Sequence, residues 1–242
     1  MKKYLLLAMV TVLAASSCGR VTPEQRIQKI NEHFASSESE YSSRLESIDQ
    51  SKKLDYISLQ LDKLNATEVW TLDAAGGTSV VADFKGRGKD VHYSLISACL
   101  DDNQACSVVL DIMNALKTLK IRPNFTIRTV FYNSGDSTGT AGLKAVFEEF
   151  DRSMELSTFD IEVSSLKGEG ERIFVIEDKP MFVDGVKQVM PPYFEPIGSF
   201  SFVGADYPNH DWPGNTPTYR YHLGSNRAQD AAAITAFAFL LN

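Results

Sequence analysis

Hydrophobic and polar positions alternate along this chain in two rhythms, one of threes and fours and one of twos. Ala105, Val108, Val109, Ile112, Met113 and Leu116 form one apolar stripe, which predicts a helix from Gln104. Asp101, Asp102 and Asn103 stand where that helix needs its N-cap, and the residues from Ile96 up to them read as a loop. Phe125 to Tyr132 reads as a buried strand, Asn133 to Gly142 as a polar loop, and Leu143 to Met154 as a second amphipathic helix. Earlier, Thr22-Pro23-Glu24-Gln25 is a helix start, with Thr as cap, Pro at the first position and Gln at the third. Ile27, Ile30 and Phe34 give that helix its apolar face, and Ala35 to Ser39 breaks it. A helix over Lys53 to Leu64 turns Leu54, Ile57, Leu61 and Leu64 inward.

Thr67 to Leu72 and Thr78 to Phe84 read as strands around a glycine turn. Gly86-Arg87-Gly88-Lys89 looks like a phosphate cradle but lacks the helix that should follow, so it reads as a turn. Thr158 to Leu166, Arg172 to Ile176 and Ser199 to Val203 are further strands, and Lys179 to Pro192 a short helix and loop. Asn226 to Leu241 is apolar nearly all round, which predicts a helix buried on the sheet. Alternating helices and strands predict an α/β fold: a three-layer α/β/α sandwich on a mixed, mostly parallel sheet.

Composition adds little to the fold but bounds the setting. With 242 residues, 43% hydrophobic and 23% charged, the chain is long enough for one sizeable globular core. Met1 to Ser17 reads as a signal peptide, basic at Lys2 and Lys3 and too short in its apolar run to span a bilayer. Small residues before Cys18 resemble a bacterial lipoprotein cleavage box, which would place lipid on Cys18. The other reading is a plain secretory signal cut nearby. Removing the segment leaves 22 basic against 31 acidic side chains, a formal charge of −9, which argues against nucleic acid as a partner. Residues 18–42 then read as tether and N-terminal helix, and 43–242 as the α/β domain. Cys99 and Cys106 flank the Asp-Asp-Asn turn; outside the cytoplasm they could pair, or stay separate buried thiols.

One capping residue starts a helix; an Asp-Asp-Asn run is more than capping asks, and a carboxylate there could hold a metal. The stretch DDNQACSVVLDIMNALKTLKIRPNFTIRTVFY, followed by a polar loop and a helix, resembles the di-zinc aminopeptidase family, whose relatives include the glutaminyl cyclases. The resemblance spans roughly residues 43 to 241 and implies a zinc-exopeptidase-like fold with its site beyond the carboxyl ends of the strands. It implies Asp101 as the metal-bridging aspartate and His222, in Tyr221-His222 before the last helix, as a histidine ligand. A further histidine is expected after the Thr78–Phe84 strand, but that strand ends Ala82-Asp83-Phe84-Lys85. His92 is a weak substitute, nine positions before Asp101, and a surface loop histidine otherwise.

The family also needs two consecutive glutamates after the Tyr132 strand, one as general base and one as ligand. Here Asn133-Ser134-Gly135-Asp136-Ser137 offers only Asp136, the base or a ligand if the chain is active. Asp160, or Glu162 beside it, stands near a ligand aspartate's place. A later loop carries Asp206, Tyr207, His210 and Trp212, either a contact surface for a sugar or peptide or a set of pins holding the loop. The resemblance with a broken set points to a lipid-anchored protein of the bacterial envelope, with zinc absent or partial and a cleft that binds a peptide, a glycan or a partner protein. The alternatives are a working zinc aminopeptidase with an altered ligand set, and a purely structural envelope protein.

Overall fold

The computed structural model describes residues 21–74, 76–88, 92–134, 140–152, 156–165, 173–176, 201–204, 218–224 and 226–241. Among them are helices α1 (Pro23–Ser36), α2 (Ser42–Ser47), α3 (Gln50–Lys63), α4 (Asn103–Thr118), α5 (Thr140–Arg152) and α6 (Arg227–Leu241). The strands are β1 (Glu68–Ala74), β2 (Gly77–Phe84), β3 (His92–Cys99), β4 (Thr126–Tyr132), β5 (Leu156–Ser164), β6 (Ile173–Ile176), β7 (Ser201–Gly204) and β8 (Thr218–His222). The predicted helix and loop over Lys179 to Pro192 and the Asp206, Tyr207, His210, Trp212 loop lie outside the described residues, as does Cys18.

All eight strands form one sheet, in the order β1-β2-β4-β3-β5-β8-β6-β7. The centre, β4-β3-β5-β8, is parallel, whereas β1-β2, β2-β4 and β6-β8 are antiparallel. The strands of this centre are covered on both faces, and alternate side chains feed different layers. Tyr93 and Leu95 of β3, with Val130 and Tyr132 of β4, pack against Leu143, Val146, Phe147 and Phe150 of α5. Ile96 and Ala98 of β3, with Ile127 and Phe131 of β4, face the other layer, built from α1, α2, α3, α4 and α6. This is the three-layer mixed sandwich the sequence predicts.

Local chemistry explains where the helices start. Thr22 Oγ1 accepts from the Gln25 amide (3.3 Å) and Gln25 Oε1 accepts from the Thr22 amide (3.0 Å), the predicted capping box. α1 packs into the body of the fold: Ile27, Ile30 and Phe34 join the same core cluster as the alanines of α6. Those alanines, Ala231, Ala232, Ala233 and Ala236, are fully buried and let helices approach closely. One element departs from expectation. The approach to Asp101 is not a loop but β3, the second strand of the parallel centre, in which Ser94 and Ser97 are buried.

Candidate functional site

The parallel centre gives the sheet two unlike edges. At the carboxyl edge β3 ends in Cys99, β4 in Tyr132, β5 in Ser164 and β8 in His222. Asp101 follows β3 there, and the turn is fixed by backbone bonds from Leu100 N to Tyr132 O (2.8 Å) and from Asp102 N to Cys99 O (2.9 Å). Asp102 is the N-cap of α4: its Oδ1 accepts from Ala105 N at 2.9 Å, and its Oδ2 accepts from Ser165 N at 2.6 Å. One carboxylate therefore starts the helix and ties it to the end of β5.

Asp101 does something else. It is exposed, with Oδ1 accepting from Gln50 Nε2 (2.6 Å) and Oδ2 from Ser134 Oγ (2.8 Å). Both oxygens are thus held by neutral donors. Gln50 opens α3, and one turn later the buried Lys53 donates from Nζ to Leu100 O at 2.7 Å. Ser134 is fixed by Gly142 of α5, whose amide donates to Ser134 O at 3.1 Å. A Cβ on Gly142 would lie 1.5 Å from Asn133 O, so only glycine lets α5 close on this loop.

Beneath Asp101, on the α5 face, lies a buried polar group. Tyr132 donates its hydroxyl to Glu162 Oε1 at 2.8 Å. Ser97, in register with both Val130 and Glu162, keeps a buried Oγ with no partner among the described residues. Burial first, with the carboxylates of Asp101, Asp102 and Glu162 adding to it, pushes the Cys99 thiol up to about 11. It is a protonated thiol at neutral pH. Cys106 Sγ donates to Cys99 O (3.2 Å), and burial raises its thiol too. Cys99 packs against the α5 cluster and Cys106 belongs to the opposite layer, so the two stay free and the suggested bridge does not form.

The strand directions sort the remaining sequence candidates. His222 ends β8 on the carboxyl edge, and β5 alone separates β8 from β3, so their backbones are about 10 Å apart. β8 is bolted to α6 by the fully buried Asp230, which accepts from Tyr221 Oη (2.8 Å) and Gly224 N (3.0 Å). His92 opens β3, roughly 23 Å from Cys99 along the strand, so it cannot join Asp101. Asp160 pairs with Leu95 in mid-strand, one residue pair further from the carboxyl edge than Ile96 and two further than Glu162. The side chains of His92, Asp160 and His222, and all of Asp136, lie outside what the structure describes.

The resemblance puts a histidine after β2, but β2 ends at the edge opposite Asp101. β2 runs antiparallel to β4, and Asp83 and Phe84 pair with Arg128 and Ile127, toward the far edge. Asp83 is spent there on Arg128, whose Nε and Nη2 reach its two oxygens at 2.7 and 2.9 Å. The guanidinium also lies over Trp70, Tyr93 and Phe150, at 5.0, 4.3 and 4.9 Å from the ring centres. The strand that leads into Asp101 is β3, and its last residue is a cysteine.

Of the ligand candidates, only Asp101 and Glu162 have side chains that the structure describes. Each oxygen of Asp101 is already bonded, Glu162 is engaged by Tyr132, and among the described residues no three His, Cys, Asp or Glu side chains gather around one point. Sequence reasoning missed Gln50, Lys53 and Ser134, because no spacing rule links them to Asp101.

No protein-family model and no curated protein matches this chain. Solved structures do. LapB from Legionella pneumophila superposes with a TM-score of 0.57 at 14% identity, over 92% of this chain and 71% of that one. A zinc-dependent exopeptidase from Parabacteroides distasonis gives 0.53 at 12%, over 93% and 99%. A leucine aminopeptidase precursor from Bacteroides thetaiotaomicron gives 0.56 at 10%, over 93% and 98%. At these identities the likeness establishes the fold.

Proposed function

We propose that this chain, which has the fold of the zinc-dependent exopeptidases, is a lipid-anchored envelope protein that binds at the old cleft without two-metal hydrolysis. Asp101 carries the argument. In a two-metal hydrolase a bridging carboxylate must offer both oxygens to cations, and a base must reach the metal-bound water. Here Gln50 and Ser134 each donate to one of those oxygens, neutral bonds that hold the carboxylate without a cation, and Gly135-Asp136-Ser137 offers a single carboxylate where the resemblance needs two.

Gln50 and Ser134 are neutral, and no Lys or Arg lies within ion-pair distance of Asp101 among the described residues. An exposed carboxylate held in place but not neutralised suits a ligand bearing a cation. The α-ammonium of a peptide N-terminus is the ligand this reading puts first, with a glycan or a partner protein after it. The lipid on Cys18 is part of the proposal and rests on the sequence box. Among the described residues no helix is long and apolar enough to cross a membrane.

Calorimetric titration with short peptides bearing free or acetylated N-termini tests the binding claim. Free peptides should bind, while acetylation or Asp101→Asn should weaken binding about tenfold or more. A zinc-dependent release of N-terminal residues by the parent chain would overturn the reading and favour the working aminopeptidase.

A further inference from the structure

At the amino edge of the sheet, two loops meet. Arg87 N donates to Pro123 O (3.0 Å) and Gly88 N to Asn124 O (2.9 Å), so the Gly86–Gly88 turn is stitched to the loop between α4 and β4. Gly86 makes this possible: a Cβ there would stand 2.3 Å from Phe125 O. The stitching gathers Lys85 and Arg87 from one loop with Lys120 and Arg122 from the other, beside Lys117 on the last turn of α4, whose Nζ donates to Lys63 O at 2.7 Å; all five are exposed. Lys85, Lys117, Lys120 and Arg122 rim a groove of about 390 Å³ floored by Phe84, Met113, Leu116 and Ile121. No acidic side chain lines it among the described residues, and none occurs in sequence between Asp111 and Asp136. On a chain of net charge −7 this is a concentrated patch of the opposite sign.

The chain enters the fold toward that same edge. α6 starts beyond the carboxyl end of β8 and runs back toward the amino edge. α1 packs along α6 more extensively than on any other element, with His33 and Phe34 near its own end beside Arg227 and Ala228 at the start of α6. The two helices are therefore antiparallel, and Pro23 faces the amino edge. Only Gly19 to Thr22 separate it from Cys18, a reach of at most about 18 Å.

We infer that the amino edge, through Lys85, Arg87, Lys117, Lys120 and Arg122, is the face this protein lays on an anionic lipid bilayer. The tether geometry rests on the reading of Cys18 as lipid-bearing; the charge pattern stands without it. A basic face beside a lipid anchor adds attraction to anionic headgroups and sets which side of the protein meets the bilayer. With the amino edge on the lipid, the carboxyl edge and Asp101 face away from it.

The test is co-sedimentation of the chain begun at Gly19, which keeps every described residue, with vesicles of phosphatidylglycerol and phosphatidylcholine in equal parts. Without lipid on the protein the assay reads the patch alone, whatever becomes of Cys18. Binding should occur, fall as salt rises, and vanish on pure phosphatidylcholine. Lys85→Gln with Lys120→Asn and Arg122→Gln should weaken it on the order of 100-fold. Asn is chosen because Lys120 has φ of 53°, where Asn is tolerated. Lys52→Gln on α3, at the opposite edge, should leave binding unchanged, and circular dichroism should match the parent for both variants. Absent binding, equal binding to neutral vesicles, a triple variant that binds like the parent, or a preference for soluble polyglutamate over vesicles would each overturn the inference.

Discussion

Asp83 and Asp101 are carboxylates bonded through both oxygens, and they could hardly be held more differently. Asp83 meets a guanidinium at 2.7 and 2.9 Å under a roof of three aromatic rings. Asp101 meets an amide and a hydroxyl at 2.6 and 2.8 Å on an exposed edge. The first arrangement cancels a charge that burial would penalise. The second fixes a charge in space and leaves it uncancelled. A fold needs the first; on our proposal the second serves a ligand.

Arg128→Ala should break the first arrangement most visibly. It strands Asp83 and empties the space between the rings, so stability in urea should fall by about 3–5 kcal/mol. A loss below about 1 kcal/mol would mean that the pair is not what holds β2 to β4 there.

A third carboxylate sharpens the contrast. Asp111 of α4 lines a cavity of about 560 Å³ with Glu38, Asn114 and Arg227. Burial raises its pKa to about 6, against a bond from Ser39 and the field of Arg227, which lower it. Its folded value stands above the unfolded one, so the folded chain binds the extra proton between about pH 4 and 6. Stability from this group is therefore full at the acid end and lost as pH rises through 6. Asp111→Asn should stabilise the chain at pH 7 by about 1–2 kcal/mol, discounted for partial wetting, and flatten that slope. An unchanged pH profile would contradict the assignment.

Asp101 should behave as neither of these. Asp101→Asn should shift stability by less than about 1 kcal/mol, and Gln50→Ala or Ser134→Ala by about 0.5–1.5 kcal/mol each, because one neutral bond is lost. A large loss in Asp101→Asn would make Asp101 structural and erase the contrast. The smallest effect is chemical: with its thiol at about 11, Cys99 should resist alkylation at pH 8 in the native chain and react once unfolded.

How much of this could be read from the sequence follows from the range of the interactions. The capping box at Thr22 and the stripe of α4 are local and were legible. β3 was not, because Ser94 and Ser97 interrupt its apolar run, although both are buried in the sheet. The resemblance put a histidine after β2, but β2 runs the other way and ends at the opposite edge from Asp101. His222 was placed at the right edge, since a strand-to-helix junction in a parallel sheet must lie there. The Tyr132–Glu162 bond spans 30 positions and the Gln50–Asp101 bond 51, and both exist only once the register of the sheet is known.

The most direct test is the zinc content of the chain begun at Gly19 after exhaustive dialysis, by elemental analysis, beside Asp101→Ala. A folded protein with well under one zinc per chain, the same in the variant, is the result this account predicts. Close to two zinc ions per chain, lost in Asp101→Ala, would contradict it: Gln50 and Ser134 would then be yielding Asp101 to metal, and the carboxyl edge would be a working hydrolase site.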